Sequence, residues 1–456
     1  MINYKIALFV FAGISVVSCK KTWMEEKSNK SVDVPNSVKD FQGLLDHSAF
    51  MNDNRPVLGE VSADNYYLTT TMWLASITDS KSKYVWDKEI YNDQFTDNIN
   101  WNFPYRQVFY SNVVLDDIEN VKPEDIGSPA WNNVKGRAHY FRADAFFNVS
   151  QIYTKPYSLT FPDEPGIPLR LNADPKAKSV RAGLQETYQQ ILSDLHTAAD
   201  YLPVVPLYKL RPSKPAAYAL LSRVYLVMQD YSHALLYADS CLKLYDSLLD
   251  YNTLNAAASF PVPAFNKEVL FQSALGNELF TTKVIVDTNL YKSYNVNDLR
   301  QKMFFKTNTN GGMQFVGTYT GGTASAANLN FFGGLATDEV YLTRAECFAR
   351  TGNVTAAMKD LNALMMKRFK TGTFVPLTAT NTSEALSLIL QERRKETPFR
   401  GLRWLDLRRL NSEGANITLT RFVNNQTYTL EPNSPRYVLP IPPDIIGFTG
   451  ISQNER

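Results

Sequence analysis

Apolar positions recur at three- and four-residue spacing over most of the chain, the periodicity of helices with one buried face. Val38 to Asp46 is a short amphipathic start, with Phe41, Leu44 and Leu45 on one side. Asn102 to Ile118 follows, then a long helix near Asn132 to Tyr153 in which Val134, Ala138, Phe141, Ala145 and Val149 keep the spacing. Leu184 to Tyr201 is another, ended by Pro203. Between the helical blocks lie two long stretches without such a period: about 53–101, rich in Asn, Asp, Thr, Tyr and Trp, and 251–332, rich in Gly, Asn and Thr. Loops this long in a compact protein are usually functional.

The segment from Ser213 to Leu249 carries a finer pattern. Tyr218, Leu221 and Tyr225 precede a turn at Gln229-Asp230, and Tyr231, Ala234, Ala238 and Cys241 follow it. Between Thr337 and Phe369 the pattern returns: Tyr341, Ala345, Phe348, the turn Thr351-Gly352-Asn353, then Ala357, Leu361 and Leu364. Small residues at helix crossings and aromatics in the groove are the tetratricopeptide layout of paired antiparallel helices. The expected fold is mainly α: a tetratricopeptide-like scaffold with helical repeats over about 132–250 and 337–410, and a loop-rich half. The repeats are interrupted in sequence. Each helix pair needs neighbours to cover its open faces, so the other long helices are expected to complete the stack.

The N-terminus supplies an address. Lys5 precedes a 12-residue apolar run, Ile6 to Val17, and Val16-Val17-Ser18 then leads to Cys19. The run is too short to span a bilayer, which takes about 20 residues. It reads as an export signal over 1–18, and its end resembles a bacterial lipobox with Cys19 as the acylated residue. Residues 19–36 are polar and read as a flexible tether, and the folded domain is expected over 37–456. The formal charge of +2, from 47 basic and 45 acidic residues, gives no pull on nucleic acid. The expected contact with membrane is the lipid alone.

Chemistry is sparse by pattern. There is no nucleophile elbow, phosphate loop, dinucleotide fingerprint or zinc-protease helix. The four histidines, His47, His139, His196 and His233, stand apart from one another. No catalytic residue, metal site or cofactor is expected. Cys241 and Cys347 sit among apolar helical positions and read as buried thiols. The charged stretch from Glu392 to Arg409 places Arg and Glu around Phe399, Trp404 and Leu405, which reads as a buried turn held by Arg–carboxylate pairs.

Three motifs together resemble the SusD/RagB family of outer-membrane nutrient-binding lipoproteins. The first runs from Val134-Lys135-Gly136-Arg137-Ala138 to Phe141-Arg142-Ala143-Asp144-Ala145-Phe146-Phe147, with Pro165-Gly166-Ile167-Pro168-Leu169 downstream. The second is Glu392-Arg393-Arg394-Lys395-Glu396 with Phe399-Arg400-Gly401-Leu402-Arg403-Trp404-Leu405-Asp406-Leu407-Arg408-Arg409. The third is Tyr437-Val438-Leu439-Pro440-Ile441-Pro442, ending near Gln453-Asn454. The resemblance implies a helical scaffold that packs on a TonB-dependent transporter of the SusC type. It implies a loop-built half that captures cargo, an oligosaccharide or polysaccharide in most members and peptide in the RagB branch. It also implies lipid anchoring in the outer membrane, facing the cell exterior.

A pyranose presents a C–H face that stacks on Trp or Tyr, and hydroxyls that pair with Asp, Asn and Arg. The candidates in the loops are Asp64, Trp73, Tyr84 and Trp86 in the first, and Tyr294 and Tyr319 in the second; core packing is the ordinary fate of each aromatic. The competing readings are the same protein with peptide cargo, a helical-repeat adaptor without a small ligand, and a hydrolase. The last requires two carboxyl groups facing each other ~5–9.5 Å apart.

Overall fold

A capping box opens the fold: the Ser37 hydroxyl accepts from the Asp40 amide and the Asp40 carboxylate accepts from the Ser37 amide, both at 3.2 Å. This satisfies two amides at the start of α1 (Val38–Leu45) that have no helical partner. The structure, a computed structural model, describes residues 35–92, 96–278, 284–308, 311–322 and 330–456. Cys19, the signal segment 1–18 and the tether up to residue 34 lie outside the described residues. Ser37 to Arg456 forms one folded unit.

Nine further helices carry the scaffold: α2 (Phe103–Asp117), α3 (Pro129–Tyr153), α4 (Leu184–Tyr201), α5 (Lys214–Val227), α6 (Tyr231–Leu244), α7 (Thr337–Arg350), α8 (Val354–Met366), α9 (Thr382–Glu396) and α10 (Arg403–Ser412). Their starts follow the sequence. Ser128, Ser213, Asp230, Asn353 and Asn381 each cap a following helix through the side-chain oxygen. The two helix pairs α5/α6 and α7/α8 turn in the same way. A residue in the left-handed region, Gln229 (φ 62°) or Gly352 (φ 92°), is followed by an Asp or Asn cap. Glycine takes that conformation without cost, whereas glutamine does not.

Packing runs in chain order along the array: α2 on α3, α3 on α4, α4 on α5, α5 on α6, α7 on α8, and α7 on α9. The contact that closes the array is α6 on α7, although residues 245–336 separate them in sequence. The repeats are thus interrupted in the chain and continuous in space, with the second long stretch looped out between them. Ala234, Ala238, Ala345, Ala349 and Ala357 are fully buried at the crossings.

The looped-out stretches have a core of their own. The first contains short helices Leu58–Ser62, Thr70–Leu74 and Thr78–Tyr84, and its Tyr66–Tyr67 strand pairs antiparallel with Ile285–Val286 of the second. Phe305–Thr307 pairs with Met313–Phe315, and Val269–Phe271 pairs with Leu335–Ala336 at the entry to α7. Val57, Val61, Tyr66, Tyr251, Phe304, Phe315, Phe332 and Phe399 pack together between these pieces. Among the described residues the sheet content is five two-stranded ladders, including the hairpin Leu419–Val423 with Gln426–Leu430.

The turn from α9 to α10 is a buried ionic lattice, as the charge pattern predicts. Arg300 reaches Asp298 at 2.6 Å, Glu392 at 2.5 Å and Glu396 at 2.9 Å. Arg368 joins Glu396 at 2.8 Å to Glu268 at 2.7 Å, and Arg409 joins Glu346 at 2.5 Å to Asp406 at 2.9 Å. The Arg300 and Arg368 pairs bind the second helical block to the looped-out half, and the Arg409 pairs join α7 to α10 within the block. The C-terminal segment is strapped over the end of α3: the Leu439 amide donates to the Ile152 carbonyl at 3.0 Å, and the Asn454 side-chain amide to the Tyr153 carbonyl at 2.9 Å. Among the described residues, no helix is long and apolar enough to cross a membrane.

Candidate functional site

Four of the six ligand candidates are interior residues, which corrects the sequence expectation for them. Trp86 is buried under the hairpin, its indole N–H donating to the Ser62 carbonyl at 2.8 Å. Tyr84 is buried beside it, with its hydroxyl accepting from the Leu68 amide at 2.8 Å. The Arg421 guanidinium lies 4.0 Å from the Tyr84 ring and 4.4 Å from the Trp86 ring, and donates to the carbonyls of Val61 and Ala63. Tyr294 is buried with its hydroxyl donating to the Lys395 carbonyl at 2.7 Å. Tyr319 is fully buried and donates to Glu268 at 2.6 Å. Two cores account for this: Tyr84, Tyr294 and Tyr319 complete the aromatic core of the looped-out stretches, and Trp86 packs with Trp404, Leu419 and Tyr437 under the hairpin.

Asp64 sits at the edge of the lattice. Arg403 holds it at 2.7 Å and Arg394 at 3.4 Å. Burial raises its pKa, but the two guanidiniums outweigh this and keep the carboxyl well below the usual carboxylate range. It lines a broad surface groove with Asn289, Gln391 and Thr418, so it remains reachable. Trp73 is the one candidate aromatic with a partly open face. Its indole N–H reaches the Lys81 carbonyl at 3.3 Å, and Lys81 Nζ lies 5.9 Å from the ring centre.

Two exposed aromatic side chains outside the six candidates stand near the same hairpin contact as Trp73. Tyr67 follows the inward Tyr66 on its strand and so points outward, 38% exposed. Phe422 lies on the outward side of the alternating strand Leu419–Val423 and is 65% exposed. The hairpin tip meets the short helix Thr70–Leu74, where the Asn424 amide donates to the Thr70 hydroxyl at 2.8 Å. Tyr67, Trp73 and Phe422 all stand within three residues of that contact. The alternation in Leu419-Thr420-Arg421-Phe422-Val423 was the available signal for Phe422: an apolar residue on the polar side of a strand.

A polar cleft of about 320 Å³ opens where the two looped-out stretches meet. Ile77, Ser80, Lys83, Asp97, Asn98 and Glu278 line it. Its floor is one network. The Asn100 side-chain amide donates to Asp97 at 3.0 Å and to Glu278 at 3.1 Å, Lys83 meets Glu278 at 2.9 Å, and the Tyr91 hydroxyl donates to Asp97 at 3.0 Å. Burial raises the Glu278 pKa against the opposing pull of Lys83. Burial lowers that of Lys83, but Glu278 and Asp97 more than restore it. A carboxylate accepts about four hydrogen bonds; Asp97 spends that capacity on Asn100 and Tyr91, whereas Glu278 accepts only from Lys83 and Asn100 and can still accept from ligand hydroxyls. Among the described residues no group of His, Cys, Asp and Glu is placed to hold a metal ion.

Comparison with known proteins places this architecture. A family model described as "Starch-binding associating with outer membrane" matches residues 22–226, and the model described as "SusD family" matches residues 337–449. No curated protein matches the chain. Among solved structures, a SusD superfamily protein from Bacteroides thetaiotaomicron superposes with a TM-score of 0.74 at 21% identity, over 92% of this chain and 100% of that one. A SusD superfamily protein from Bacteroides vulgatus gives 0.74 at 20%, over 92% and 99%. A SusD-like carbohydrate binding protein from Bacteroides vulgatus gives 0.70 at 20%, over 91% and 97%. The motifs around α3, the α9–α10 ionic turn and the C-terminal motif from Tyr437 to Pro442 lie within the two matched regions, and the helical array is shared with the solved structures: this chain belongs to the SusD/RagB family.

Proposed function

We propose that this protein is a lipid-anchored lipoprotein of the outer membrane that captures a glycan and hands it to a TonB-dependent transporter of the SusC type. Binding, without catalysis or cofactor, is its role. The observations that carry the reading are three at least partly open aromatic rings, Tyr67, Trp73 and Phe422, and a cleft of carboxylate, amide and ammonium groups where the looped-out stretches meet. Rings for C–H faces and charged groups for hydroxyls are the two things sugar recognition needs. The description of the matched family model, and the carbohydrate-binding solved relative, support the same cargo class. Acylation of Cys19 supplies the anchor, and the cell exterior is the face on which a large glycan is met.

Retardation of the protein in native gels cast with a panel of polysaccharides tests this, with peptides titrated in parallel. Retardation by at least one glycan, reduced in Trp73→Ala, is the expected result. Heat from peptides alone would replace the cargo class. Absence of any ligand, with pull-down of a transporter intact, would leave the helical-repeat adaptor in its place.

A further inference from the structure

A second cleft, of about 500 Å³, lies between the end of α3, α10 and the C-terminal strap. Lys155, Arg408, Asn433, Ser434, Tyr437 and Arg456 line it, and Glu455 is the one acidic residue in its wall. Arg408 is 5% exposed. Its two terminal nitrogens donate to the main-chain carbonyls of Gln151 and Thr154 at the end of α3, and its Nε has no partner among the described residues. The terminal nitrogens of Arg456 donate to the carbonyls of Asp87 at 2.8 Å and Arg436 at 3.3 Å, and its Nε too is buried and unpartnered.

Three other described arginines have a buried nitrogen without a partner, and each is neutralised by a carboxylate. Arg55 meets Asp144 at 2.6 Å, Arg137 meets Asp46 at 2.6 Å and Arg400 meets Asp338 at 2.8 Å. Arg408 and Arg456 are bound to carbonyls instead. Asp87 and Glu89 act on Arg456 only at longer range, with Arg436 opposing them. Lys155, at the rim, is already paired with Glu164 at 2.7 Å. Glu455 is exposed to solvent.

A buried guanidinium without a carboxylate partner costs several kcal/mol in order of magnitude, so Arg408 calls for an explanation, and the half-buried Arg456 adds a second cation to the same cavity wall. The dipole of α3 accounts for part of it, since a cation at a helix C-terminus is favourable. That explains the terminal nitrogens of Arg408 and leaves both Nε–H groups. Burial pulls the pKa of each arginine down to about 10, so both remain charged at neutral pH. The fork of Nε–H and Nη–H is the donor geometry that carboxylate and sulfate oxygens match. Tyr437, Asn433 and Ser434 add partners for hydroxyls.

We propose that this cleft binds an acidic monosaccharide unit, a uronate or a sugar sulfate, with its oxyanion between Arg408 and Arg456. A cavity of this size suits one or two sugar rings, at the lower end of the roughly 300–1,000 Å³ of small-molecule sites. The site stands apart from the Tyr67–Trp73–Phe422 surface and holds whether or not that surface binds a neutral glycan.

Calorimetric titration with sodium glucuronate, glucose 6-sulfate and glucose tests the assignment, with inorganic sulfate as competitor. Arg408→Gln removes the tie to α3 and puts folding at risk. Arg456→Gln, on the half-buried chain end, therefore carries the test, with its circular dichroism and melting curve checked against the parent protein. The expected result is saturable binding of glucuronate or glucose 6-sulfate, competed by sulfate and absent for glucose. Arg456→Gln should weaken it at least about tenfold, roughly 1.4 kcal/mol, while Trp73→Ala leaves it unchanged. Binding that survives Arg456→Gln, equal binding of glucose, or no saturable heat from either acidic sugar would overturn the proposal.

Discussion

Replacing Trp86 by alanine separates the role the structure gives this residue from the one its neighbourhood in sequence suggests. The indole is fully enclosed, and removing a buried Trp or Phe side chain to Ala typically costs about 3–5 kcal/mol. The Ser62 carbonyl loses its donor at 2.8 Å, worth about 1 kcal/mol more where water cannot replace it. Arg421 loses one of three rings but keeps Tyr84 at 4.0 Å and its carbonyl partners, so its charge stays satisfied. The backbone at Trp86 is left-handed (φ 55°), and alanine is no better suited to it, so that cost cancels. The sum is about 5 kcal/mol, at the scale of the whole stability of many domains, roughly 5–15 kcal/mol. Equilibrium urea unfolding, followed by circular dichroism, reads it as a large drop in midpoint. Trp73→Ala, on a half-open ring with a 3.3 Å hydrogen bond, should move the midpoint by about 1 kcal/mol or less. Near-equal stability of Trp86→Ala and the parent protein, with glycan retardation lost in Trp86→Ala alone, would refute this assignment of the two tryptophans.

Arg300→Met leaves Asp298, Glu392 and Glu396 buried without their shared cation, and should cost about 3–5 kcal/mol in the same unfolding assay; a loss under about 1 kcal/mol would mean that other partners hold these carboxylates. The Asp64 carboxyl is held below its unfolded value of 3.8 by Arg394 and Arg403. Its contribution to stability is therefore fully present above that value and declines as pH falls through and below it. Asp64→Asn should flatten this acid limb of the melting-temperature profile, and an unchanged limb would assign acid sensitivity elsewhere. Burial pushes the thiols of Cys241 and Cys347 well above their ordinary range. At pH 8 the native protein should resist maleimide at both positions and label only on denaturation, as read by mass spectrometry.

Helices were legible wherever one buried face imposes a period, and the two-helix units at Ser213–Leu249 and Thr337–Phe369 fall where spacing puts them. The ionic turn was legible too, because Arg and Glu at helical spacing around Phe399 and Trp404 have no way to be buried except in pairs. The looped-out half was not. Tyr66–Tyr67 pairs with Ile285–Val286, far away in the chain, and two-residue strands leave no periodic trace. Whether an aromatic in such a stretch faces solvent depends on that partner, which is why Tyr84, Trp86, Tyr294 and Tyr319 read as surface candidates and are core. Trp73 packs on the edge of that core and Tyr67 is turned to the outer side of its strand, so both keep an open face. Arg408 shows the same limit in the charged motif: its composition predicts a carboxylate partner, and the fold gives it carbonyls and a cleft.

A glycan held by Tyr67, Trp73 and Phe422 loses affinity when any one of these rings is removed. Isothermal titration of whichever glycan retards the protein, against the parent and against Tyr67→Ala, Trp73→Ala and Phe422→Ala, measures it directly. Loss of a stacking ring should weaken binding by about 1–2 kcal/mol, roughly five- to thirtyfold, with the unfolding midpoint nearly unchanged. Affinity equal to the parent in all three variants would place the glycan site elsewhere on the molecule.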